Sequence, residues 1–125
     1  MSRITDKDAA DLLCNAFEGG SGYWASIDGF VTPEVVALPW GENEYHPRYI
    51  SFPFSSGGAV VLVDIEDEDE TKYTLNRKAI AQGKRIMEEN EQYKRHFADV
   101  LNENADAETG DVFLQLCLFG EVVYG

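Results

Sequence analysis

The chain has 125 residues, a formal net charge of −13, 44% hydrophobic residues and 12% aromatic residues. That apolar content suffices for one cored domain and excludes a globally disordered polyelectrolyte. The acidic balance argues against direct binding of phosphate backbones. No stretch reaches the roughly 20 apolar residues of a membrane span, and the start MSRITDKDAADLL lacks the apolar centre of a secretion signal, so a cytoplasmic protein is expected.

Thr5, with Asp8 three residues on, predicts a capping box at the start of a first helix. Ile4 and Ala9 stand where a hydrophobic staple would, and Ala9, Leu12, Leu13, Ala16 and Phe17 recur at helical spacing. Gly19-Gly20 predicts its end. Residues 21–58 hold all four prolines and eight of the fifteen aromatics. Short strands are expected at 23–27 and 49–54, joined by irregular chain, because proline confines strands to edges. Residues 59–65 (AVVLVDI) read as a central strand, and 71–75 (TKYTL) as its return, so a β-hairpin is predicted over 59–75. Asn76 predicts a second helix with Ala79, Ile80, Gly83, Ile86 and Met87 inward and Lys78, Gln82, Arg85 and Glu89 outward. Asn90 predicts a bend before a third helix over 91–102, with Tyr93, Phe97, Val100 and Leu101 inward. A last helix over 107–118 carries the apolar run VFLQLCLF, interrupted by Gln115, and is therefore expected to be central. Gly120 predicts its stop, and 121–124 (EVVY) a terminal strand. Neither a repeat nor a linker breaks the pattern. The expectation is a single α+β domain over 1–125, in which a small antiparallel sheet containing the hairpin packs with about four helices.

Charge is unevenly placed. Asp64, Glu66, Asp67, Glu68, Asp69 and Glu70 fall within seven residues at the predicted hairpin tip, whereas residues 71–95 hold seven of the ten bases. The plain reading of the acidic run is a solvated turn that discourages pairing at a sheet edge. It has no glycine and does not match a calcium-binding loop. The sharper reading is a surface for a basic partner, with Trp40 and Tyr45 as aromatic anchors. In its extreme form that surface mimics nucleic acid. Carboxylates on one strand face recur about every 6.6 Å, against one duplex charge per roughly 1.7 Å. A mimic therefore needs other acids to converge on the same face. The candidates are Asp6, Asp8 and Asp11 in the first helix, and Asp99, Glu103, Asp106, Glu108 and Asp111.

Arg77, Lys78, Lys84 and Arg85 form a basic island, continued by Lys94 and Arg95. It reads as a helix surface balanced by Glu88, Glu89 and Glu91, or alternatively as an anion site at the helix start after Asn76. The glycine-rich GGSGYW (19–24) follows a helix instead of preceding one and lacks the lysine of a phosphate-binding loop. His46 and His96 have no partners at metal spacing, Cys14 and Cys117 read as buried hydrophobes in a reducing compartment, and no nucleophile motif is present. No catalytic residue, metal or cofactor is expected.

The segments FEGGSGYWA (17–25), HFADVLNENADAET (96–109) and DVFLQLCLFGEVVYG (111–125) cover about a third of the chain. They resemble a family of small uncharacterised proteins encoded by bacteriophages and mobile elements. The resemblance implies a context and carries no activity, ligand or functional residue. In that context small acidic proteins act on host machinery or host defences. The expected function is a non-enzymatic accessory protein that binds a basic host protein in the host cytoplasm, in one form a DNA-mimicking, anti-CRISPR-like inhibitor. Two alternatives stand beside it. One is a nucleotide-sequestering module using Arg77, Lys78, Lys84 or Arg85. The other is a self-associating protein, a homodimer built on the apolar C-terminal segment.

Overall fold

The capping residues set where the helices begin, and the computed structural model describes residues 3–41 and 46–125. Helix α1 (Asp6–Asn15) starts at Thr5, whose hydroxyl accepts from the Asp8 N–H at 3.0 Å while the Asp8 carboxylate accepts from the Thr5 N–H at 3.1 Å. This is the predicted capping box. The helix buries Ala9, Ala10, Leu12 and Leu13 and runs into a π-helical turn, Ala16–Gly20. There Gly19 takes φ +154°, a conformation that ends the helix and suits only glycine.

Three antiparallel strands follow: β1 (Ala25–Val31), β2 (Ala59–Asp64) and β3 (Lys72–Leu75), in the order β1-β2-β3. The predicted hairpin is β2–β3. Strand β1 begins later than expected and runs further. Its register with β2 shifts between Ile27 and Gly29, so Asp28 is the extra residue of a bulge, paired with Lys72 at 3.1 Å.

The expected strand at 49–54 is instead a short helix, α2 (Arg48–Phe54). Pro47, extended at its N-cap, offers one carbonyl to the N–H groups of both Ile50 and Ser51, and Ser55 Oγ donates to the Ser51 carbonyl at 2.7 Å. Residues 50–54 are all buried, which suits a helix wedged into the core and not a strand with alternating faces.

Helix α3 (Arg77–Glu89) starts at Asn76, whose side chain accepts from the Ala79 N–H. Asn90 ends it and opens a 3₁₀ turn, Glu91–Tyr93, that leads into α4 (Lys94–Leu101). Leu101, expected inward, is 40% exposed because α4 stops there and Val100 takes the buried position. Gln82, expected outward, is half-buried; its amide donates to the carbonyls of Leu116 and Cys117.

The last helix, α5 (Ala107–Phe119), is the centre of the fold, with every residue from Thr109 to Cys117 buried. It lies between α1 and α3. Glycines permit these crossings: a Cβ on Gly110 would stand 2.6 Å from the Leu12 carbonyl oxygen, and one on Gly83 would collide with Cys117 Sγ. Residues 109–117 of the apolar run are thus enclosed within the chain, whereas Val123 of the C-terminal segment is exposed. The α+β architecture is as expected, with α2 as a fifth helix. Among the described residues no helix is long and apolar enough to cross a membrane.

The expected strand at 121–124 is also absent. Residues 120–125 fold back beside α5 and pair with a side chain instead. Gln115 Oε1 accepts from the N–H groups of Val123 (2.8 Å) and Tyr124 (2.9 Å), and its amide donates to the Tyr124 carbonyl at 3.2 Å. The one polar interruption of the apolar run thus replaces a neighbouring strand.

Candidate functional site

The turn between β2 and β3 divides its carboxylates into two kinds. Asp64 is 4% exposed; it accepts from the Tyr124 hydroxyl at 2.6 Å and from the Glu66 N–H at 3.0 Å. Asp67 accepts from the N–H groups of Asp69 and Thr71, both at 3.2 Å, and from the Thr71 hydroxyl. These bonds hold the Asp67 carboxyl below its ordinary pKa, the Thr71 hydroxyl contributing most. Glu70 adopts the left-handed region at φ +49° and lets the chain return into β3. Asp64 and Asp67 therefore shape the turn. Glu66, Glu68, Asp69 and Glu70 are exposed, and no side-chain hydrogen bond or ion pair engages them among the described residues.

Beside these carboxylates lies a groove of about 480 Å³. Glu66, Glu68 and Asp69 line one part; Tyr73 of β3, Phe119 at the end of α5, and Tyr124 line another. The rings pack on one another: Tyr73 meets Phe119 edge-on at 4.9 Å, and Tyr124 stacks at 5.6 Å on the buried Trp24. Val123, 55% exposed, also lines the groove, and Ile65, 51% exposed, adjoins two lining residues in the chain. No lysine or arginine is among the lining residues. The local field is negative, and the phenols register it. The hydrogen bond to Asp64, then burial, then the charges of Asp64, Asp67 and Glu66 push Tyr124 up to about 12. Burial, followed by the charges of Asp64 and Asp67, raises Tyr73.

Three of the acids after residue 95, Asp106, Glu108 and Asp111, are engaged by side-chain or backbone partners. Asp106 caps α5 by accepting from the Thr109 N–H at 3.0 Å, and Glu108 faces Arg95 at 3.3 Å. Asp111 is 7% exposed and takes four donors. Ser21 Oγ and Trp24 Nε1 reach one oxygen, each at 2.7 Å; the Tyr23 hydroxyl (2.6 Å) and Gln115 Nε2 (3.2 Å) reach the other. Tyr23 is pushed up to about 12, chiefly by burial and then by this bond.

In α1, Asp6 pairs with Lys84 at 3.0 Å and Asp8 belongs to the capping box. Asp8, Asp11 and Glu103 line a separate groove with Leu12, Asn15 and Ala105, near the start of α5. The hairpin groove adjoins Phe119 at the other end of that helix, whose length is about 20 Å at 1.5 Å per residue. None of the acids expected to converge lines the hairpin groove; Glu108 and Asp111 line a third groove that shares Tyr124 with it.

Of the two expected anchors, only Trp40 falls among the described residues, and it does not line the hairpin groove. Trp40 is half-buried elsewhere, edge-on to Phe54 at 5.3 Å with Lys7 Nζ 5.4 Å from its ring, and Tyr45 lies outside the described residues. Of the alternative anion site, Lys84 is tied to Asp6, while Arg77, Lys78 and Arg85 are exposed along α3. His96 is buried, with Nδ1 3.2 Å from Thr109 Oγ1, and no cluster that could hold a metal occurs among the described residues.

Sequence reasoning missed the aromatic side of the groove, Tyr73, Phe119 and Tyr124. The aromatic pair in FGEVVYG and the tyrosine just after the acidic turn were the available signal. It also missed that two of the segments carrying the resemblance lock together, Ser21, Tyr23 and Trp24 against Asp111 and Gln115. No family model, curated protein or solved structure matches the chain.

Proposed function

We propose that this protein is a non-enzymatic accessory protein of the phage type that binds a basic surface on a host protein in the host cytoplasm. The observation that carries the reading is the set of four exposed, unengaged carboxylates at the β2–β3 turn beside a groove that no base lines. A turn needed only for chain reversal is already held by Asp64 and Asp67. Occupying a basic surface is enough to inhibit a nucleic-acid-binding or defence protein, because that surface is where phosphates would dock. The division of the acids favours a compact contact at the hairpin over an extended imitation of a duplex.

The test is affinity capture from host lysate with the immobilised protein and with a Glu66→Gln, Glu68→Gln, Asp69→Asn, Glu70→Gln variant. The expected result is a partner retained at low salt by the native protein, released at high salt and not retained by the variant. A partner held equally by both, or held through high salt, would overturn the proposal.

A further inference from the structure

We infer that the groove between the β2–β3 turn and residues 119–124 seats an arginine side chain from an extended basic segment of the partner. This deepens the function proposed above and rests on it. The occupant follows from charge complementarity and ring chemistry together. Glu66, Glu68 and Asp69 present acceptors, and Tyr73, Phe119 and Tyr124 present aromatic surface in the same groove. A guanidinium satisfies both at once: its planar face stacks on a ring while its N–H fork donates to carboxylates. An ammonium is more strongly hydrated and offers no flat face, so it gains less from the rings. A bare metal ion would use the oxygens and ignore the rings. The exposed Val123, which also lines the groove, gives an apolar neighbour of that arginine somewhere to rest, and an extended segment points alternate side chains to one side, so that one can enter the groove while the next lies beside it.

The native protein is titrated with two blocked peptides, one alternating arginine with leucine and one alternating lysine with leucine, at low and high salt. Binding is read by calorimetry and by the NMR ring resonances of Tyr73 and Tyr124. The arginine peptide is expected to bind about three- to tenfold more tightly than the lysine peptide and to move both rings. Replacing Glu66, Glu68 and Asp69 by their amides is expected to weaken it about tenfold without altering the fold. Phe119→Leu is expected to reduce the preference for arginine while leaving the salt dependence. If that variant is unstable, the comparison of the two peptides on the native protein still decides. Equal affinities, or binding that leaves both rings unmoved, would overturn the inference even if a host partner is captured through the acidic turn. Arginine preference without any salt-sensitive host partner would uphold the groove's chemistry and sink the wider functional reading.

Discussion

Asp111 and Glu68 carry the same charge in the sequence and opposite meanings in the fold. Asp111 is enclosed by four donors, three from the distant segment 21–24 and one from its own helix, so removing it strands a hydroxyl, a phenol, an indole N–H and an amide. Glu68 stands in solvent on a turn whose shape other residues maintain. A carboxylate saturated by internal donors is structural, whereas one left over beside a groove is available to a partner.

The contrast can be broken most directly at the buried end. Asp111→Ala is expected to cost about 3–5 kcal/mol in urea unfolding, because buried donors lose a charged acceptor. A loss below about 1 kcal/mol would show that water replaces the carboxylate and that the network does not hold the fold.

Next in size is Gln115→Leu, which removes the amide that pairs with Val123 and Tyr124. The expected cost is about 2–3 kcal/mol, since it leaves backbone groups without partners. Hydrogen exchange should show residues 120–125 losing protection before α5 does; uniform loss across the chain would contradict a side chain acting as their strand.

Tyr124→Phe deletes the hydroxyl that donates to Asp64 and should lower the unfolding midpoint by less than Gln115→Leu does. The native phenols give a pH counterpart. Tyr23 and Tyr124 are both raised from 10 to about 12 in the folded chain. Their contribution is complete below pH 10 and is lost as pH rises through 12, because the unfolded chain releases these protons first. Phenolate absorbance and circular dichroism followed together should show these tyrosines ionising last, with stability falling across that window. Ionisation near 10 with the fold intact would refute the two hydrogen bonds.

The smallest effect on stability is expected at the exposed end. Neutralising Glu66, Glu68, Asp69 and Glu70 together should change unfolding by no more than about 0.5 kcal/mol while abolishing partner capture. A stability change above about 1 kcal/mol in either direction would place these carboxylates in the fold and erase the distinction.

Local chemistry written into adjacent residues was legible in the sequence. The Thr5–Asp8 capping box, the Asn76 cap, the β2–β3 hairpin and the central position of α5 depend on spacings of a few residues or on a single apolar run, and each is as expected. The errors at 49–54 and 121–124 have a common cause. Both segments have strand-like composition, and each was decided by a partner outside itself: core packing around α2, and the Gln115 amide for residues 121–124.

The sequence by itself therefore determined the fold class, the hairpin and the place of the acidic run at its tip, because these follow from periodicity, capping and turn chemistry. Tertiary structure alone decided which acids are used up. Donors 87 to 90 residues away in the chain close around Asp111, a hydroxyl 60 residues away closes on Asp64, and the rings of Tyr73, Phe119 and Tyr124 meet beside the carboxylates that remain. Formal charge is a property of composition, but its availability to a partner depends on which hydrogen-bond donors the fold brings within reach.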